Sequence, residues 1–130
     1  MMKKLFLICS SVLALLLTGC SSSGNQQQHL ELLAANRASV LNAELPIEQG
    51  PLTIMRANGK GTMIEIMMIY NNDQQGAVPI DQVMQSSVEQ FCTAADIRAN
   101  LDVGISYRFI VRNTRGQTMV DQVMTRQHCR

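Results

Sequence analysis

Tryptophan is absent from this 130-residue chain, aromatic residues make up only 4% of it, and it has two histidines and three prolines. With so few rings, much of the apolar surface falls to nine methionines, adaptable side chains used both to fill irregular cores and to bind partner peptides. The formal net charge is only +1 and no basic cluster stands out, which excludes the electrostatic footprint of a nucleic-acid binder. Two histidines and no cysteine pair at C-x-x-C spacing cannot fill a zinc shell. There is no G-x-S-x-G, no phosphate loop and no paired carboxylates in a recognisable setting, so nothing asks for an enzyme. The one long apolar run, Leu5 to Leu17, is shorter than the roughly 20 residues a helix needs to cross a bilayer. What remains, 46% hydrophobic and 16% charged residues, is the composition of one ordinary folded domain.

That apolar run sits behind Lys3 and Lys4 and ends in small residues, the layout of a secretory signal. Its end, "LTGC" at Leu17 to Cys20, resembles the lipobox of bacterial lipoproteins. The resemblance implies cleavage before Cys20, a diacylated thiol and a new amine carrying a fatty acid such as palmitate. An ordinary signal with a cysteine beside its cleavage site is the alternative. Two or three acyl chains, at about 0.8 kcal/mol per buried methylene, anchor stably where one holds only reversibly. Ser21, in place of the Asp that retains such lipoproteins in the inner membrane, implies the periplasmic face of the outer membrane. Loss of residues 1–19 removes Lys3 and Lys4 and leaves the body close to neutral, so lipid and not charge binds the membrane. Residues 20–28 then read as an acylated cysteine and a flexible tether, since "SSSGNQQQ" has no apolar residue to bury and reaches at most roughly 28 Å when extended.

Residues 29–130 read as one folded domain. "HLELLAANRASVLNAEL", His29 to Leu45, places Leu30, Ala34, Ala38, Leu41 and Leu45 at helical spacing before Pro46, with Leu33 and Val40 widening the stripe. Two β-rich runs, Leu52–Ala57 and Thr62–Tyr70, flank Asn58-Gly59-Lys60-Gly61, which predicts a hairpin turned at Asn-Gly. The second run is apolar on both faces, Ile64, Ile66 and Met68 on one and Met63, Met67 and Ile69 on the other; either it is central and covered twice, or one face docks a ligand. Pro79 and Asp81 open a helix whose Ile80, Val83, Met84, Val88 and Phe91 share a face. "TAADIRANLD" adds a helical turn or two. "VGISYRFIVR" alternates strictly, placing Val103, Ile105, Tyr107, Phe109 and Val111 on one side, and a weaker strand follows from Gln117 to Arg126. The order helix, hairpin, helix, hairpin predicts an α+β domain: a mainly antiparallel sheet of about four strands with helices packed on one face.

An exported chain folds where thiols are oxidised. Cys9 lies in the discarded signal and Cys20 is claimed by lipid, which leaves Cys92, at the end of the best helix, and Cys129 to form one disulfide. Pairing Cys20 with another cysteine is the disfavoured alternative. His128 beside Cys129 could be read as a dyad or a metal site, but neither a free thiolate nor an orienting third group is indicated. No catalytic residue, metal or cofactor is expected beyond the covalent lipid on Cys20.

Five stretches, "AELPIEQGPLTIM", "GTMIEIMMI", "MQSSVEQFC", "GISYRFIVRNTRGQ" and "TRQHC", together resemble the AspS/YghG-like branch of the pilotins, the pilot lipoproteins of type II secretion. The similarity spans nearly the whole chain after the signal. It implies a partner, the C-terminal S-domain of the secretin, whose delivery to the outer membrane by the lipoprotein-sorting machinery the pilotin directs, and whose ring assembly it promotes. The expected physics is a short amphipathic helix of the secretin laid in an apolar groove. No motif of the family names the groove. The surplus apolar side chains Leu30 and Leu33 on the first helix and Met63, Met67 and Ile69 on the busy strand are the candidates. A lipid-anchored inhibitor of a cell-wall hydrolase is the alternative; such inhibitors resemble all-β barrels, which the helical segments disfavour.

Overall fold

The computed structural model describes residues 22–129; the export signal and Cys20 lie outside the described residues. The chain opens with helix α1, Ser22–Asn42. Leu, Ala, Gln and Glu, all good helix formers, dominate it, and its deepest contacts are two alanines one turn apart, Ala34 and Ala38. The polar residues 22–28, expected to be slack, are helical, and Gly24 to His29 are exposed. The reason is cooperativity: extending a helix already anchored downstream costs little even with no apolar face, and Gln27 Nε2 donates to Glu31 Oε1 one turn on, at 3.1 Å. At its other end α1 stops at Asn42, short of the expected Leu45. The residue before a proline is pushed out of the helical region, and the Asn42 amide is held by the neighbouring strand, Oδ1 accepting from Ala57 N–H at 2.8 Å while Nδ2 donates to Ala57 O.

The order continues β1 (Ile47–Gln49), β2 (Leu52–Lys60), β3 (Met63–Tyr70), α2 (Ile80–Thr93), α3 (Ala95–Asp102), β4 (Ser106–Asn113), β5 (Thr118–Met124) and a closing 3₁₀ turn, Arg126–His128. The five strands form one sheet in chain order. All neighbours are antiparallel except β3 and β4, which run parallel because α2 and α3 carry the chain across the sheet between them. The α+β class and the disulfide thus hold, with five strands in place of about four. The extra strand is β1, three residues set between Pro46 and Pro51, too short and too proline-bounded to show in a pattern. Val103, expected on the buried face of β4, is 51% exposed at the end of α3, and the strand begins only after Gly104, at Ser106.

The helices cover one face of the sheet. Ile64, Ile66, Met68 and Tyr70 of β3, Tyr107, Phe109 and Val111 of β4, and Met124 of β5 are buried there. Phe91 anchors α2 by meeting Tyr107 and Phe109 edge-on, with ring centroids 5.8 and 4.9 Å away. Tyr70 Oη donates to Val78 O at 2.7 Å and accepts from Val78 N–H at 2.8 Å, which pins the loop into α2. On the opposite face Met63, Glu65, Met67 and Ile69 are half-exposed. A charge row crosses four strands there: Lys60 to Glu65 at 3.1 Å, Glu65 to Arg108 at 3.1 Å, and Arg108 to Asp121 as a two-pronged pair at 2.8 and 2.7 Å. That fork holds the Asp121 carboxyl below its ordinary range and raises the Arg108 guanidinium further.

The Asn58-Gly59 pair, expected to turn the hairpin, lies inside β2; the turn is made three residues later, at Gly61-Thr62, where Gly61 has φ +57°. Gly59 serves packing. A Cβ on it would stand 2.7 Å from Ala35 Cα and 2.9 Å from Ala35 N, so α1 rests directly on the strand. Glycine to alanine within a strand ordinarily stabilises by removing unfolded-state freedom. Here Gly59→Ala is expected to destabilise, by about 1–3 kcal/mol, because backbone has to move to admit the methyl. A urea-unfolding midpoint that rises on substitution would show that the helix has room to spare.

Candidate functional site

The small-residue seat of α1 on β2 and the aromatic seat of α2 on β4 leave a gap between the helices above β3, whose own side chains Ile64 and Ile66 stay buried at its bottom. The gap is a groove of about 330 Å³. Its floor is Ile64 and Ile66 of β3, Ile54 of β2 and Tyr107 of β4; α1 contributes Val40 and Leu41 to one wall, and Phe91 and Ile97 form the other. Charge is confined to the rim, with Arg37 and Glu44 on the α1 side and Asp96 facing them from α3. Val40 is 58% exposed despite being aliphatic, an unspent apolar side chain at the lip.

The groove is rigid on its α3 side. Asn100 is a buried polar residue, and its Nδ2 donates to Tyr107 Oη at 2.8 Å, tying α3 to the sheet floor. Burial pushes the Tyr107 phenol above its ordinary value and the carboxylate of Asp96 adds to this, while the Asn100 bond and the Arg37 charge oppose it. The hydroxyl is therefore neutral at physiological pH and works as a structural bond. Among the described residues there is no group of three His, Cys, Asp or Glu side chains that could hold a metal ion, and no helix long and apolar enough to cross a membrane. His128 Nδ1 accepts from Thr125 N–H at 3.1 Å, capping the last turn, and Cys129 is joined to Cys92.

The candidate residues do not come together in the fold. Leu30 and Leu33 of α1 pack against the core on the helical side, whereas Met63, Met67 and Ile69 alternate onto the far side of the sheet. The sheet itself separates the two sets, so no single groove contains both. The residues that do form one, Val40, Leu41, Ile54, Ile64, Ile66, Phe91, Ile97 and Tyr107, come from six elements. Two left a trace in the sequence: Val40 widens the α1 stripe beyond the Ala34–Ala38 line, and Ile97 is one of two large aliphatics, with Leu101, in an otherwise polar segment.

A half-covered sheet carrying an apolar, charge-rimmed trough has the shape to receive the apolar face of another molecule. A family model for the type II secretion system pilotin, S protein, matches residues 26–129, and the chain belongs to that family. The chain is similar to the type II secretion system pilotin AspS from Vibrio cholerae, whose structure superposes with a TM-score of 0.79 at 56% identity over 83% of this chain and 99% of that one. The pilotin EpsS from the Vibrio vulnificus type 2 secretion system superposes at 0.78 with 46% identity, over 82% and 97% of the two chains. Lipoprotein YghG of Escherichia coli K12 is 25% identical over 114 residues, 88% of this chain and 82% of its own length.

Proposed function

We propose that this pilotin binds the C-terminal S-domain of a secretin through the groove between α1 and α3, and that lipid on Cys20 carries the complex to the periplasmic face of the outer membrane, where ring assembly follows. The carrying observation is the groove's place in the sheet. Its floor strand, β3, is bonded on both sides, to β2 and to β4, so no backbone group there is free to pair with an added strand. A ligand that lies on this floor has to satisfy its own peptide groups, which an amphipathic helix does. Its apolar stripe would meet Val40, Leu41, Ile54 and Ile97, the accessible part of the lining, and its flanking charges would meet Arg37, Glu44 and Asp96. The lipoprotein-sorting machinery would read the acylated end, with no catalytic step and no nucleic acid involved.

The exposed start of α1 bears on the delivery step. The run from Ser22 to Leu30 is a helical rod of about 12 Å where slack was expected. In a strain lacking the gene, the secretin is expected to miss the outer membrane on fractionation; assembled rings found there would sink the reading. A Cys20→Ala chain is expected to keep secretin binding and lose delivery. Loss of binding by that variant would refute the division of labour between lipid and groove.

A further inference from the structure

We infer a second docking site, at the outer edge of β5, for an extended basic segment of another chain. The two edges of the sheet differ. Edge strand β1 has three residues between prolines, a protected edge. Edge strand β5 has seven residues and no proline; its one charge, Asp121, is turned inward to Arg108. Its sole strand partner is β4, and no backbone hydrogen bond leaves its outer edge among the described residues. A row of free N–H and C=O groups is a template for one more strand.

The space for that strand is already shaped. Helix α2 overhangs the edge, and between them lies a cavity of about 400 Å³ walled by Met84 and Val88 of α2 and by Val120 and Gln122 of β5. Side chains of an added strand that point toward the helices would enter it. Asp81 and Glu89 stand on its rim, and neither has an ion-pair partner among the described residues. They are eight residues apart on a helix, about 12 Å, which an extended chain covers in about four residues. The occupant is thus a segment with Lys or Arg at positions i and i+4 and an aliphatic residue at i+2, all on one face. A second copy of this chain does not fit, because two-fold pairing of β5 with β5 would bring both sets of Asp81 and Glu89 together.

The test uses the full chain purified from membranes in detergent and the synthetic peptide Ser-Lys-Thr-Val-Thr-Lys-Ser, capped at both ends. Amide hydrogen exchange across residues 118–124 is expected to slow on adding the peptide. Asp81→Lys with Glu89→Lys, both on the exposed side of α2, is expected to weaken binding at least about tenfold, while Val40→Asp in the other groove leaves it unchanged. A peptide with Glu for both Lys, and one with Pro for Val, are expected not to bind. Peptide binding without slowed β5 exchange, equal binding of the Glu peptide, or no binding at all would overturn the site. Protection of β5 that rises with protein concentration in the absence of peptide would assign the edge to a second copy instead.

Discussion

Replacing both Cys92 and Cys129 by serine is expected to remove about 4 kcal/mol of stability, the chain-entropy value for a bond that spans 37 residues. A domain of this size has a total of roughly 5–15 kcal/mol, so the loss is a large fraction of it. The bond ties the end of α2 to the turn after β5; beside it Arg126 of that turn reaches Asp102 of α3 at 3.0 Å, an exposed ion pair that contributes little in water. Without the disulfide, β5 and the closing turn become the first part to open. In calorimetry the double variant should melt on the order of 15 °C below the parent, given about 4 °C or more per kcal/mol for a domain near 100 residues. A reducing agent should lower the parent by the same amount and leave the variant unmoved. Both thiols of the exported parent should resist labelling after denaturation without reductant; labelling of both would refute the bond.

What could be read from sequence follows which forces are local. α2 and β4 carry strong periodicity because each turns one apolar face to the core, and Met84, Tyr107, Phe109 and Val111 lie where that periodicity places them. The C-terminal end of α1 and the hairpin turn depart from the local pattern for one reason: both are settled by contact between distant segments. Asn42 stops the helix by holding Ala57, and Gly59 is spent on the approach of Ala35, so the best local turn signal is drawn into a strand. The groove was hidden for a related reason. A gap between layers belongs to no segment; it opens where α1 sits on alanines and α2 on aromatic rings. Surplus hydrophobicity pointed instead to Met63, Met67 and Ile69, which share a face with the charge row linking Glu65 to Arg108.

That divergence supplies the most discriminating experiment. Val40→Asp is expected to abolish secretin binding while folding normally. Val40 is 58% exposed and Asp has a similar helix propensity, so stability should change by no more than about 0.5 kcal/mol, with Arg37 one turn back offsetting the repulsion from Glu44. In the complex the same carboxylate would be pressed against Ile54 and the apolar stripe of the bound helix, an unpaired charge removed from water. A cost of about 3 kcal/mol is a reasonable floor for that burial, equivalent to roughly a hundredfold in Kd. Val40→Ala, which trims contact without adding charge, should lose less than tenfold, about 1 kcal/mol. Met67→Asp, on the far face beside Arg56 and Ile110, should bind as the parent does. Titration of a secretin S-domain peptide by calorimetry orders the three. If Met67→Asp is the variant that fails and Val40→Asp the one that binds, the docking face is the open side of the sheet and the groove is packing only.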